Sequence, residues 1–344
     1  NLIKKYFDKN IYFLKYLDFE LNNFLKKYTF FYKKVSSIFN ELDSSFYFLT
    51  KIIRGPLATA LYDYGKIKKK KFTWVSHQHG HGIELSNIHK KTQLTKEETL
   101  SDLFFVYSSV GKEERMKNKY IKENVKIIDI GYHASNYSFK SVPHHDIIYV
   151  SNLNQELTGH EINMSNLSNS KKINFEEGLI KNVFSKINHK VMFKEYPGVK
   201  NTDIKSNYIK NLIKPYENII YFDKWLNAEN IYSKSSIILT SLPTSGLGGA
   251  IHSKKPLIFI DIKEMMPLKS NLIGNFKEYF FYYDFNDEIF ENLKKLLSLD
   301  IKMIQNKWEN KNSDEKKKFI SKYINIKSKK DVANSIKSKL INLN

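Results

Sequence analysis

Three histidines alternate with small or amide residues in His77-Gln78-His79-Gly80-His81-Gly82, and Glu84 follows closely. On a continuing strand the three imidazoles would share one face, a spacing that suits metal ligation. The glycines favour a loop instead. There the bare backbone lets a phosphate approach, and a neutral imidazole can exchange a proton near physiological pH. Glu84 is near enough in sequence to orient one of these rings. A plain turn with exposed histidines is the ordinary alternative. No cysteine and no carboxylate stands at a familiar metal spacing, so acid/base or phosphate chemistry is preferred to a metal site.

A second segment, Ser241-Leu242-Pro243-Thr244-Ser245-Gly246, leads from an apolar run into a glycine-rich stretch. Where a strand gives way to a helix, free N–H groups and the helix dipole make an anion site, lined here by Thr244, Ser245 and Gly246. The glycine spacing and the Lys-Ser/Thr ending of a P-loop are missing. Ser and Thr also cap helices for purely structural reasons. A third segment, Phe193-Lys194-Glu195-Tyr196-Pro197-Gly198, puts a lysine and an aromatic at a strand end. Lys194 can meet a diphosphate or a sugar carboxylate, and Tyr196 can stack on a base or sugar ring. Asp223 and Trp225 follow the next strand, where the aspartate can hold a ribose or simply cap a helix.

The elements that must position these residues alternate between apolar runs and charged periodic stretches. Strands are expected at 72–76, 103–107 and 125–131, with a charged helix at 112–123. The grammar restarts after Pro143: strands at 146–150, 190–194, 218–222, 236–240 and 256–260, and helices at 175–187, around 227–232, and through His252. Strand, helix, strand with continuous apolar runs implies parallel sheets with crossover helices. Ligands of open α/β sheets bind outside the carboxyl ends of the strands, which draws the loops after residues 76, 194 and 240 toward one cleft. The first 50 residues read as helices, with aromatic and leucine residues at helical spacing and lysines between them. An ordinary packed helix explains this more often than one lying on a membrane. The chain from about Phe285 is lysine-rich and mostly helical.

Length and composition bound the rest. The 344 residues, 41% of them hydrophobic, fit about two globular domains. No apolar run reaches bilayer-spanning length, and the start lacks a Met and a signal-peptide pattern. The absence of cysteine excludes disulfides and fits a reducing cytoplasm. The net charge is +20, yet only Arg54 and Arg115 are arginines. Sequence-specific nucleic-acid readout depends on the bidentate arginine fork, so it is not expected. The lysines favour anionic partners: sugar nucleotides, phosphorylated acceptors, or the inner face of a membrane.

In their order, these segments resemble the GT-B glycosyltransferase superfamily, in particular the bacterial transferases of capsule, lipopolysaccharide and teichoic-acid polymers. Gln78-His79-Gly80 is similar to the signature closing an N-domain strand, and Ser101 to Phe105 and Ile130-Gly131-Tyr132 resemble that domain's closing strands. Lys194 with Tyr196-Pro197 is similar to the basic residue and His-Pro or Tyr-Pro step. Ser241 to Ala250 with Lys255-Pro256 is similar to the nucleotide-phosphate loop, helix and Lys-Pro strand. The likeness covers roughly residues 70 to 265. Many relatives have His-Pro where this chain has Glu195-Tyr196-Pro197, and the N-terminal half reads short for a complete domain of that fold.

The resemblance implies two Rossmann-like domains facing a cleft, with helical terminal segments: an acceptor-side domain over 1–143, a nucleotide-donor domain over 144–285 and a C-terminal helical segment over 286–344. It implies a metal-independent enzyme without a bound cofactor that moves a sugar from a nucleotide-sugar donor to a hydroxyl of a glycan or glycolipid. The expected site comprises His79, His81 and Glu84 as the acid/base group, with Gln78 and Gly80 beside them. Lys194, Tyr196, Asp223, Ser241, Thr244, Ser245 and Gly246 would hold the donor. A cytoplasmic location, with contact to the inner membrane face, would fit such an acceptor. The alternatives are a polyol-phosphate transferase, which moves a phosphodiester unit, and a noncatalytic basic scaffold for polyanions or membranes.

Overall fold

In the computed structural model the described residues are 11–40, 46–50, 55–67, 72–86, 101–117, 125–133, 144–151, 169–195, 204–222, 226 and 228–341. Along the first part of the chain these form α1 (Ile11–Phe39), β1 (Phe46–Thr50), α2 (Gly55–Ile67), β2 (Phe72–His77), the single turn α3 (Gly82–Leu85), β3 (Leu103–Val106), α4 (Ser109–Met116) and β4 (Lys126–Asp129). Then come β5 (His145–Val150), α5 (Asn169–Gly178), β6 (Val191–Lys194), α6 (Ile204–Ile213), β7 (Ile219–Phe222), β8 (Ser235–Thr240), α7 (Ser245–His252), β9 (Leu257–Asp261), α8 (Ile273–Tyr279) and β10 (Phe281–Asp284). The chain closes with α9 (Ile289–Leu297), α10 (Ile301–Glu309), α11 (Asp314–Tyr323) and α12 (Lys329–Ile341).

The architecture is α/β with two parallel sheets, the fold class of two Rossmann-like units expected from the sequence. By contact density the chain divides into one unit of Asn1–His79, Leu94–Phe105 and Lys119–Ile128, and a second of Gly80–Gln93, Val106–Asn118 and Asp129–Asn344.

The first unit holds most of a four-stranded sheet in the order β1-β2-β3-β4. Trp74 in β2 packs with Tyr64 and Leu61 of α2 and Val35 of α1. The Trp74 N–H donates to the Asp102 carboxylate at 2.8 Å, and the Asp102 N–H returns a bond to the Trp74 carbonyl at 2.9 Å, fixing the entry to β3. Residues 46–50 correct the expectation of helix through residue 50. A polar stretch ends α1, and the run Phe-Tyr-Phe-Leu-Thr, aromatic and β-branched, is long enough to pair with β2 but not to make a helix.

In the second unit six parallel strands lie in the order β10-β9-β8-β5-β6-β7. Read from β7, this is the doubly wound order 3-2-1-4-5-6, and the winding reverses between β5 and β8. The inner strands are apolar throughout because both faces are covered. Ile147, Tyr149, Ile237, Leu239, Ile258 and Ile260 point to one core, with Phe175, Leu179, Leu293 and Ile304. Ile148, Ile238, Leu257 and Phe259 alternate to the other, with Leu247, Phe276, Trp308 and Phe319. Two stretches read as plain helix prove irregular. After α5 the chain continues as a π turn, Leu179–Val183, and a 3₁₀ turn, Phe184–Lys186, while the stretch around 227–232 contains 3₁₀ turns rather than an α-helix. Among the described residues no helix is long and apolar enough to cross a membrane.

Candidate functional site

The reversal of winding places the ends of β5 and β8 side by side, with Val150 paired to Thr240. Two neighbouring loops diverging from such a point leave room for a ligand. Beyond β8, Ser241 is buried, and the Thr244 N–H bonds the Leu242 carbonyl at 2.9 Å, turning the chain into α7. Thr244 occupies the N-cap position in an extended conformation, but its side chain makes no capping hydrogen bond. The first N–H groups of α7, those of Ser245 and Gly246, have no partner within the helix, as at any helix start. Tyr232 Oη donates to the Gly246 carbonyl at 2.9 Å and steadies this first turn from the side.

Below that turn lies a buried polar set from β5, β6 and α5. Tyr149 Oη and Ser151 Oγ both donate to Glu176 Oε1, at 3.1 and 2.6 Å. Burial first, and then the Glu176 charge, hold the Tyr149 phenol well above its ordinary pKa, while a bond to Ser241 works the other way. Ser241 is thus tied to the end of β5. Lys194, at the end of β6, is also buried. Its ammonium donates to the Glu195 carbonyl and stands 5.7 Å from the centre of the Phe222 ring. Tyr221 Oη donates to the Glu195 carboxylate. Tyr196 and Asp223 lie outside the described residues, as does the side chain of Ser245.

The histidine segment is divided between the two units. In the first, β2 ends at His77; Gln78 is buried with its N–H on the Phe105 carbonyl at 2.9 Å, and His79 is exposed. In the second, Gly80 and His81 are buried, and His81 precedes the turn α3. The three imidazoles therefore do not line one strand face. Among the described residues no three His, Asp or Glu side chains gather as metal ligands would. Glu84 is buried and accepts a bond from Ser108 Oγ at 3.1 Å, and the same hydroxyl caps α4 by accepting from the Gly111 N–H at 3.0 Å.

His81 has a different neighbourhood. A Cβ on Gly248 would fall 2.3 Å from its Nδ1, so the imidazole lies directly on the backbone of α7. Tyr132 meets the ring edge-on at 4.4 Å between centroids, and Tyr107 lies at 5.2 Å. Neither ring nitrogen has a partner at hydrogen-bond geometry. Burial pushes the imidazole pKa down to about 4, with the Ile324 carbonyl offsetting part of the effect. On the adjoining glycine, a Cβ at Gly249 would fall 2.3 Å from Glu229 Cγ, and the Glu229 carboxylate accepts from Tyr132 Oη. His81 and Glu229 are thus pressed against two consecutive glycines of α7, with Tyr132 touching both. Glu229, Tyr107, Tyr232 and Glu176 were not identified by sequence reasoning. One signal for this packing was available: Gly246, Gly248 and Gly249 within an eight-residue helix cost helical stability and imply close approach.

No family model matches the chain, and no curated protein matches it in sequence. Solved structures do. A protein described as a UDP-N-acetylglucosamine 2-epimerase from Listeria monocytogenes aligns at TM-score 0.52 and 14% identity, over 91% of this chain and 78% of that one. The GtfA/B complex aligns at TM-score 0.44 and 11% identity over 90% of this chain, and TarM at 0.42 and 14% over 80%. The chain spans 59% and 50% of the length of those two proteins. The likeness to the Listeria protein is one of fold: two Rossmann-like units, the GT-B architecture.

Proposed function

We propose that the chain is a glycosyltransferase that moves a sugar from a nucleotide-sugar donor to a hydroxyl of a surface glycan or glycolipid. The observation that carries this reading is the β8–α7 junction at the winding reversal of the second unit, where an uncommitted N-cap hydroxyl and helix-start N–H groups meet the requirements of a diphosphate. In this reading Thr244, Ser245 and Gly246 hold the phosphate. The oriented N–H groups, backed by the helix dipole, stabilise the charge that develops on the departing nucleotide. Ser241 and Lys194 act from beneath: each is buried, and each anchors the strand end from which the loop departs. Tyr196 and Asp223 are assigned to the base and ribose. His79, exposed just past the end of β2, is assigned as base toward the acceptor hydroxyl, beside Gln78 and Gly80. For His81 and Glu84 the burial favours a supporting role: His81 holds α7 and Glu84 holds α4.

The first donors to test are UDP-sugars, because the Listeria protein of the same fold is described as acting on one. Purified protein is heated with uridine, cytidine, guanosine and deoxythymidine diphosphates and their sugar conjugates. Ligand held only by the native state raises the midpoint by mass action. The expected result is a rise confined to one base and lost in Thr244→Ala. Absence of any rise, with salt-sensitive binding to unrelated polyanions, would overturn the reading in favour of a basic scaffold. Product mass then separates the transfers: a sugar adds a hexose-type increment to the acceptor, and a polyol-phosphate transferase adds a phosphodiester unit. An epimerase, the activity named for the Listeria protein, would change the donor in the absence of any acceptor.

A further inference from the structure

We infer that α1 is a landing surface for an anionic lipid bilayer, a role separate from the proposed chemistry and independent of it. The helix spans 29 residues, about 43 Å at 1.5 Å per residue. One side of its second half is used within the first unit: Val35 is buried with Leu61, Tyr64 and Trp74, Tyr28 Oη donates to Asp63 at 2.8 Å, and Tyr32 meets Tyr64 edge-on. Among the described residues the roughly opposite side has no such use. There Tyr16, Phe19 and Phe30 are 61%, 61% and 54% exposed.

At 100° per residue these rings fall within an arc of about 120° that also holds Lys15, Lys26, Lys27, Lys33 and Lys34, all exposed. From Lys15 onward the other positions on the arc are Asn23 and Ser37, so it carries five positive charges and no carboxylate. Phe19 and Phe30 run along its middle. Lys15, Lys26 and Lys33 flank them on one side and Lys27 and Lys34 on the other. The Lys34 ammonium stands 5.2 Å from the centre of the Phe30 ring.

Charge selects the occupant. Two copies of this face would oppose five lysines to five lysines, which disfavours a dimer. A soluble polyanion would neutralise the lysines yet leave the rings in water. An anionic bilayer meets both demands: headgroups pair with the flanking ammoniums while the rings enter the interfacial layer. The helix lies along such a surface rather than through it.

The test uses the full chain and vesicles of phosphatidylcholine alone or mixed with phosphatidylglycerol, separated by flotation at about 0.1 M salt, where the Debye length of about 10 Å leaves contact charges effective. Binding to the mixed vesicles is expected to exceed binding to the neutral ones by about ten-fold or more. Phe19→Ala with Phe30→Ala should reduce it several-fold, because the interfacial apolar contact is lost. Lys26→Glu with Lys27→Glu should reduce it further. Lys329→Glu with Lys330→Glu, an equal charge change on exposed residues of α12 that are not part of the proposed face, should leave it within about two-fold. All substituted side chains are exposed, so unchanged circular dichroism and melting show that the fold is kept. Equal losses in the two lysine variants, or no loss in the phenylalanine variant, would overturn the inference. So would concentration-dependent dimers of the free chain that the phenylalanine variant abolishes.

Discussion

His81 shows what burial does to an imidazole that composition alone marks as a proton carrier. On the Gly248 backbone, flanked by Tyr107 and Tyr132, its pKa falls to about 4 from an ordinary 6.5. The folded chain therefore binds this proton less readily than the unfolded chain between those values. Stability from this group is fully present above about pH 6.5 and is lost as the pH falls toward 4. A gap of that size is worth about 3 kcal/mol, at about 1.4 kcal/mol per unit. His81→Phe keeps a ring on Gly248 and removes the titration. Denaturant unfolding at pH 7 and pH 4.5 should show a smaller loss for His81→Phe than for the unaltered chain, since carboxylate titration is common to both. Identical losses would mean that His81 is not held neutral in the native state. The neighbouring Tyr132→Phe removes the hydroxyl that bonds the part-buried Glu229, and should cost about 0.5 to 1.5 kcal/mol in a melt, the usual net worth of one hydrogen bond.

Among the elements, α7 carries the tightest constraint. Alanine normally stabilises a helix relative to glycine by roughly 1 kcal/mol. At Gly248 the added Cβ would meet His81 Nδ1 at 2.3 Å and Cε1 at 2.6 Å, and in a closed core that ring has little room to move. Gly248→Ala is expected to destabilise by about 1 to 3 kcal/mol, the usual cost of overpacking, and, on the proposed function, to weaken nucleotide binding along with it. Gly274 in α8 is the control: a Cβ there meets nothing within 4 Å, so Gly274→Ala should stabilise by about 0.5 to 1 kcal/mol. Melting of the two variants should move in opposite directions, and a stabilised Gly248→Ala would refute the clamp. The inner strands β5, β6, β8 and β9 were legible in sequence because a strand covered on both faces must be apolar along its length. The hydroxyl-glycine loop before α7 was legible because strand-to-helix turns have a local chemistry. Strand β1 was hidden within an aromatic stretch that also suits a helix, and the π turn after α5 leaves no mark in periodicity. The seat of His81 on Gly248 joins residues far apart in sequence, which no local pattern encodes.

Across the molecule, α10 and α11 are part of the second unit's interior. Ile304 belongs to one core of the six-stranded sheet, and Trp308, Phe319 and Ile324 belong to the other, around Phe276 and Phe280. Lys316 lies 3.6 Å from the centre of the Trp308 ring, and burial pushes its ammonium pKa down to about 8. The chain then returns to residues 129–133. The Tyr132 N–H bonds the Asn325 carbonyl and the Lys327 N–H bonds the Tyr132 carbonyl, each at 2.9 Å, while Asn325 Nδ2 donates to Asp129 at 2.8 Å. At about 1.5 to 3 kcal/mol for each large apolar side chain, the four core residues after Leu299 contribute up to about 6 to 12 kcal/mol. That is comparable to the whole stability of an ordinary domain, about 5 to 15 kcal/mol. A chain ending at Leu299 should therefore lose fixed packing in the second unit. It should bind a hydrophobic dye and lose near-ultraviolet circular dichroism while keeping much of its far-ultraviolet signal. Cooperative unfolding with an intact near-ultraviolet spectrum in that truncated chain would show that the sheet and its nearer helices suffice, and that the returning segment is dispensable to the core.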